Sequence, residues 1–66
     1  MGEDHPETFN TIECLGILYV EMKRYEEAEG LLKEALVGYR RIFGEDHEHT
    51  KRCLGWIEES IENKVD

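Results

Sequence analysis

Apolar residues recur every three or four positions along three stretches of the chain, and charged residues fill most of the positions between them. The stretches cover residues 6–22, 26–43 and 48–64. This spacing places the apolar side chains on one side of an α-helix, whereas a half-buried strand would show strict alternation. The pattern therefore predicts an all-α fold built from three helices.

Residues at the predicted helix ends agree with this division. Pro6 suits a first helical turn, where its missing N–H costs nothing, and Glu7 complements the positive end of the helix dipole. The segment 23–27, Lys-Arg-Tyr-Glu-Glu, is predicted to form the turn between the first two helices. Gly44 is a typical residue just after a helix, so the second helix is predicted to end at residue 43.

The three helices differ in how their apolar residues are arranged. The second helix has a broad apolar stripe, which consists of Ala28, Leu31, Leu32, Ala35, Leu36, Tyr39 and Ile42. The third helix has a narrower stripe, which consists of Leu54, Ile57, Ile61 and Val65. The first helix is apolar nearly all round, which is typical of a helix buried between neighbours. Because the second helix covers one side only, the other side requires another repeat, another subunit or a ligand.

A seven-residue motif occurs twice: Gly-Glu-Asp-His-Pro-Glu-Thr begins at residue 2 and Gly-Glu-Asp-His-Glu-His-Thr at residue 44. The resulting 42-residue register aligns apolar positions of the first and third helices, such as Leu15 with Ile57. Self-similarity at this period is the signature of a helical solenoid. We therefore predict one small domain, 1–66, with a full repeat at 6–43 and a partial repeat or capping helix at 44–66.

Composition narrows the possible partners. The chain has 16 acidic and 8 basic residues, a net charge of −8, and no Lys or Arg before Lys23. Nucleic acids and anionic membrane surfaces require clustered cations, so neither is an expected partner. The two cysteines, Cys14 and Cys53, are too far apart for a Cys-x-x-Cys pair, and free thiols favour a reducing compartment. No apolar run is long enough to cross a bilayer, and a cytoplasmic location is expected.

Few residues of the sequence suggest a catalytic or metal-binding site. The His47-x-His49 pair and the acidic residues near it admit a metal-binding mini-domain as a remote alternative, but the two rings need not converge at a helix start. Nothing indicates an oxyanion hole, a general base or a phosphate loop. We expect no enzyme activity, no cofactor and no bound metal, and expect His5 and His47 to help start helices.

The segment Leu-Gly-Ile-Leu-Tyr-Val-Glu-Met-Lys-Arg-Tyr-Glu-Glu-Ala-Glu-Gly-Leu-Leu-Lys-Glu-Ala-Leu at 15–36 resembles a tetratricopeptide repeat. The signature positions are Leu15, Gly16, Tyr19, Ala28, Leu32 and Ala35. The 42-residue period and the Gly-x-x-His-Pro-x-Thr opening more closely resemble the kinesin-light-chain type of this repeat. Gly16 opposite Ala28 would let the first two helices approach closely. Glu58 replaces the packing glycine in the second copy, so the third helix resembles a cap or a truncated repeat.

The resemblance implies a protein–protein interaction module. In such modules the first helix of each repeat lines a groove that binds peptides. By resemblance, the groove positions are Asn10, Glu13, Ile17, Val20 and Glu21 on the first helix, with Arg52 and Glu59 on the third. The acidic groove residues favour a neutral or basic peptide with apolar anchors. Trp56, roughly 140° from the centre of the third helix's stripe, is predicted to anchor a partner.

Two other interpretations stay open. Ile17 and Val20 could pack against another copy of the chain, which would make it a homo-oligomer, most simply a dimer. Alternatively, the chain could be a terminal capping segment of a longer scaffold with no ligand of its own.

Overall fold

The structure is a computed structural model that describes residues 5–64. It contains α1 (Pro6–Glu21), α2 (Tyr25–Phe43) and α3 (Glu48–Lys64), and no strand among the described residues. The predicted all-α fold of a helical hairpin followed by a third helix is confirmed. Of the helices in this part of the chain, none has the length and apolar character needed to cross a membrane.

The turn after α1 depends on a residue in the left-handed conformation. Lys23 has φ of 64°. Its N–H donates to the carbonyl of Val20 at 2.9 Å, and the N–H of Arg24 donates to the carbonyl of Tyr19 at 2.8 Å. This pair of hydrogen bonds is a Schellman motif, which normally places glycine where Lys23 stands. The sequence offers no glycine here, so the turn is formed at some conformational cost.

Close contact between α1 and α2 occurs at two glycines. A Cβ added to Gly16 would lie 2.7 Å from Cγ of Leu32. A Cβ added to Gly38 would collide with the ring of Phe9. The predicted close approach at Gly16 is therefore present, and Gly38, which is not part of the predicted stripe of α2, is buried beneath an aromatic ring of α1.

The α3 helix packs mainly on α2 and only slightly on α1. Its buried residues are Thr50, Cys53, Ile57 and Ser60. The predicted stripe of α3 was partly wrong: Ile57 is buried, but Leu54 and Ile61 are 43% and 40% exposed. The buried face of α3 therefore combines Ile57 with smaller and partly polar side chains, and Leu54 and Ile61 lie at its edge. Val65, the last residue predicted for the stripe, lies outside the described residues.

The second copy of the duplicated motif forms the α2–α3 connection. Gly44 has φ of 93°, and its N–H donates to the carbonyl of Arg40, which closes α2. The hydroxyl of Thr50 donates to the carbonyl of Gly44 at 2.7 Å, and Nδ1 of His47 accepts from the N–H of His49 at 3.1 Å. His47 therefore caps α3 with its ring nitrogen, as a side-chain acceptor at a helix start does.

The first copy of the motif starts α1 differently. The carbonyl of His5 accepts from the N–H of Thr8 at 3.0 Å, but its side chain makes no capping hydrogen bond. The part of this copy that precedes His5, residues 2–4, lies outside the described residues. Of the two equivalent histidines in the motif copies, His47 caps a helix with its side chain and His5 does not.

Candidate functional site

The predicted groove consists of equivalent positions on α1 and α3. Asn10, Ile17 and Glu21 share one side of α1 because they are spaced by seven and four residues. Arg52 and Glu59 occupy the positions equivalent to Asn10 and Ile17 in the 42-residue register. The polar residues among these positions are exposed, namely Asn10, Glu21, Arg52 and Glu59. Ile17 is half-buried and packs against the core.

Two predicted contact residues have a different environment from the one that an open groove would give. Val20 belongs to the hydrophobic core, and Glu13 is only 2% exposed. These placements do not fit direct contact with a partner. Trp56 is half-buried and packed against the core, so it retains a partly exposed surface next to the groove positions of α3.

Glu13 is instead the centre of a buried polar cluster between the helices. The hydroxyl of Tyr39 donates to Oε1 of Glu13 at 3.0 Å. The other carboxylate oxygen, Oε2, has no hydrogen-bond partner among the described residues. Burial, together with the hydrogen bond to Glu13, raises the pKa of the Tyr39 hydroxyl well above its usual value. The cluster therefore holds a carboxyl group inside the fold and links α1 to α2.

The same carboxylate affects Cys53. Burial and, to a lesser extent, the nearby Glu13 raise the pKa of the Cys53 thiol to about 12. The thiol is therefore protonated at neutral pH, and because thiolates are the reactive form, Cys53 is a poor nucleophile. Cys14, by contrast, is exposed, and both cysteines are free.

Aromatic and histidine rings form a continuous stack where α2 ends and α3 begins. His47 stacks on Phe43 with ring centroids 4.2 Å apart, and His49 stacks on Tyr39 at 5.1 Å. The two histidine rings lie 5.1 Å apart, and Phe9 of α1 meets Tyr39 edge-on at 6.4 Å. The stack joins all three helices at one end of the fold.

A recess of about 170 Å³ opens beside this stack. It is lined by Glu7, Asn10, Tyr39, Phe43 and His49. Of these, only Asn10 was predicted as a site residue, since three separate segments of the chain contribute to the recess and no sequence spacing connects them. Nδ1 of His49 is buried and has no hydrogen-bond partner among the described residues.

Exposed apolar side chains mark a second surface. Leu15 and Leu18 on α1, and Met22 at its C-terminal cap, are 43%, 48% and 48% exposed. In the 42-residue register, Leu15 and Leu18 correspond to Ile57 and Ser60, which α3 buries against α2. The outer face of α1 is therefore equivalent to a face that is covered elsewhere in the same fold.

A metal centre was a remote alternative. Within residues 5–64, no group of three or more His, Cys, Asp or Glu residues is arranged to hold a metal ion. In addition, Nδ1 of His47 accepts the hydrogen bond that caps α3.

Comparison with known proteins agrees with the helical hairpin. The family model described as the tetratricopeptide repeat matches residues 8–49, which cover most of α1, all of α2 and the start of α3. Comparisons with curated proteins and with solved structures gave no significant match. Since the family model covers more than half of the 66 residues, the chain belongs to the tetratricopeptide repeat family.

Proposed function

We propose that this chain is a protein–protein interaction module that holds a peptide segment along the groove of α1 and α3. Tetratricopeptide repeats generally mediate protein–protein interaction. The observation that carries the proposal is the pair of equivalent rows on α1 and α3, in which exposed polar groups lie beside the partly exposed apolar groups of Ile17 and Trp56. Such a surface offers apolar contact together with hydrogen bonds that set orientation.

The charges of the groove indicate the kind of peptide. Glu21 and Glu59 are exposed, whereas Arg52 is the one cation at the predicted groove positions. The whole chain has a net charge of −8. A neutral or basic peptide with apolar anchors would complement this surface, and complementary charge favours encounter and specificity.

Selection from a random peptide library displayed on phage would test the groove. We expect enrichment of basic peptides with apolar residues, and weaker binding of these peptides to the Glu21→Lys variant. Glu34→Lys, an equal charge change on the exposed side of α2, is the matched control and should have less effect. Enrichment of acidic peptides, or equal loss in both variants, would contradict the proposal.

Self-association is a second candidate function, favoured by the exposed face of Leu15, Leu18 and Met22. Each 100 Å² of apolar surface removed from water contributes about 2.5 kcal/mol before the entropy of association is subtracted. We propose that this face pairs with the same face of a second copy in a two-fold dimer, because two-fold pairing closes an assembly.

Molar mass measured by sedimentation equilibrium over a range of concentrations would test the dimer. Leu18→Glu should give a monomer, whereas Val37→Glu, at a residue 56% exposed on α2, should leave the dimer intact. A parent chain that stays monomeric at millimolar concentration would exclude self-association and favour the capping-segment alternative.

The proposal also includes the type of repeat and the location of the protein in the cell. The 42-residue period supports a kinesin-light-chain-like type of repeat. The two free thiols support a cytoplasmic location, where a reducing environment keeps cysteines unpaired.

A further inference from the structure

The recess beside the aromatic stack has features that the groove positions do not explain. Its floor includes the ring of Tyr39, which is 1% exposed, and the half-exposed ring of Phe43. Glu7 and Asn10, both exposed residues of α1, form part of its lining. At about 170 Å³ it is larger than a single water site requires, so it has room for the head of a side chain.

The charged group in the lining of the recess is the carboxylate of Glu7. The backbone carbonyl of Glu7 accepts from the hydroxyl of Thr11, which leaves its carboxylate exposed. Asn10 contributes a side-chain amide, whose oxygen can accept a hydrogen bond, and Nδ1 of His49 has no partner among the described residues. A ligand group rich in N–H donors and positively charged would complement this lining.

The apolar floor adds a shape requirement. A flat guanidinium can lie against an aromatic ring, such as that of Phe43, and still donate from its edge, whereas the compact ammonium of lysine prefers to keep its water. The methylene stem of an arginine can also cover apolar surface while its charge stays near the solvent.

We propose that the recess receives an arginine side chain of a bound peptide, with the guanidinium between Glu7 and Asn10 and against the Phe43 ring. This assignment deepens the peptide-binding function proposed above and names the residue type that one end of the groove selects. Arg52 follows His49 by three residues on α3, about 4.5 Å along the helix axis. The positive charge of Arg52 would repel a bound cation. Removing this charge should therefore have the opposite effect on arginine binding to removing the charge of Glu7.

The test uses the uniformly ¹⁵N-labelled full chain titrated with N-acetyl-arginine-N-methylamide and observed through amide chemical shifts. N-acetyl-citrulline-N-methylamide, a neutral probe of nearly the same shape in which a carbonyl oxygen replaces one NH2 group of the guanidinium, is the matched probe. We expect saturable shifts concentrated at the amides of Glu7, Asn10, Phe43 and His49, with citrulline binding at least twofold more weakly.

Variants define the contribution of each charge. Glu7→Gln should weaken arginine binding roughly two- to fivefold, the range for a single exposed ion pair, and Arg52→Gln should strengthen it. Glu34→Gln, which removes the same charge from the exposed side of α2, should leave binding unchanged.

Three results would overturn the assignment: equal binding of citrulline, an unchanged affinity in Glu7→Gln, or shifts confined to residues outside the recess. An absence of saturable shifts up to the solubility limit of the probe would overturn it as well. None of these results depends on the library selection, so the groove could still bind peptides if the arginine site were wrong.

Discussion

The hydroxyl of Tyr39 on α2 donates to the buried carboxylate of Glu13 on α1, 3.0 Å away, across the interface between the two helices. Tyr39 is 1% exposed and Glu13 is 2% exposed, so neither group has water as a substitute partner. A hydrogen bond to a charged group contributes more than one between neutral groups, and leaving a buried acceptor unpaired costs the whole desolvation of that group.

Tyr39→Phe should therefore lower the free energy of unfolding by about 1.5–3 kcal/mol, because it removes the donor and leaves the Glu13 carboxylate buried without it. Urea denaturation followed by circular dichroism would measure the change. Glu13→Gln retains an acceptor for the Tyr39 hydroxyl, so it should cost less than Tyr39→Phe. A Tyr39→Phe variant as stable as the parent would show that the hydrogen bond contributes nothing.

Gly38 and Gly30 form a matched pair on α2. Gly38→Ala should destabilise the fold by about 1–3 kcal/mol, because its Cβ would collide with the Phe9 ring. Gly30 has nothing within 4 Å of an added Cβ, so Gly30→Ala should stabilise by about 0.5–1 kcal/mol through helix propensity. Thermal melts of the two variants measure both effects, and changes of the same sign would contradict the packing of Phe9.

Lys23→Gly should stabilise the fold by up to about 1 kcal/mol, because glycine adopts the left-handed conformation at φ of 64° without the Cβ penalty. Lys23→Ala is the control, since it removes the same side chain but keeps the Cβ. Chemical denaturation of the pair would separate the backbone effect from the loss of charge. Equal gains in both variants would mean that the lysine side chain, and not the conformation, is unfavourable.

Stability should fall on the alkaline side because of Cys53. The folded-state pKa of its thiol is raised from 9.0 to about 12, so between these values the unfolded chain loses a proton that the folded chain keeps. The free energy of unfolding should therefore be unaffected by this group below pH 9 and should decrease above it, approaching about 1.4 kcal/mol per pH unit. Urea titrations between pH 8 and 11 would measure the slope.

Two cysteine variants test the source of that slope. Cys53→Ala should reduce it, whereas Cys14→Ala, at an exposed thiol, should reduce it less. Tyr39 adds to the slope of the parent above pH 10, since the pKa of its hydroxyl is also raised by burial. An identical alkaline slope in the parent and in Cys53→Ala would refute the assignment to the thiol.

Ser60 and Thr50 give a contrast on the buried face of α3. The hydroxyl of Ser60 is buried and has no hydrogen-bond partner among the described residues, so Ser60→Ala should be neutral or stabilising by up to about 1 kcal/mol. The hydroxyl of Thr50 donates to the carbonyl of Gly44, so Thr50→Ala should cost about 1 kcal/mol. Calorimetric melts would rank the three proteins, and a less stable Ser60→Ala would point to a bound water at this hydroxyl.

The helices could be predicted from the sequence because their apolar spacing and their end residues act locally. The predicted starts of α1 and α3 agree with the structure, and α2 begins one residue earlier than predicted, at Tyr25. The close approach at Gly16 was also predictable, since the 15–36 motif places Gly16 opposite Ala28.

Other features could not be predicted, because they depend on contacts between residues far apart in the chain. The burial of Glu13 depends on Tyr39, 26 residues away. The buried face of α3 includes small polar side chains such as Ser60, and a search for apolar spacing does not detect them. The recess combines segments from all three helices, so only Asn10 appeared among the predicted positions.

The small side chains of α3 also determine which helix can occupy its place on α2. The equivalent residue of α1 at the Ser60 position is Leu18, and Ser60 is 0% exposed. An α1 helix from another copy would therefore insert a leucine into a space filled by a serine, and such overpacking typically costs 1–3 kcal/mol. The fit of α3 thus discriminates against the α1 helix of a second copy taking the place of α3 on α2, and with it against open-ended fibres built by that substitution.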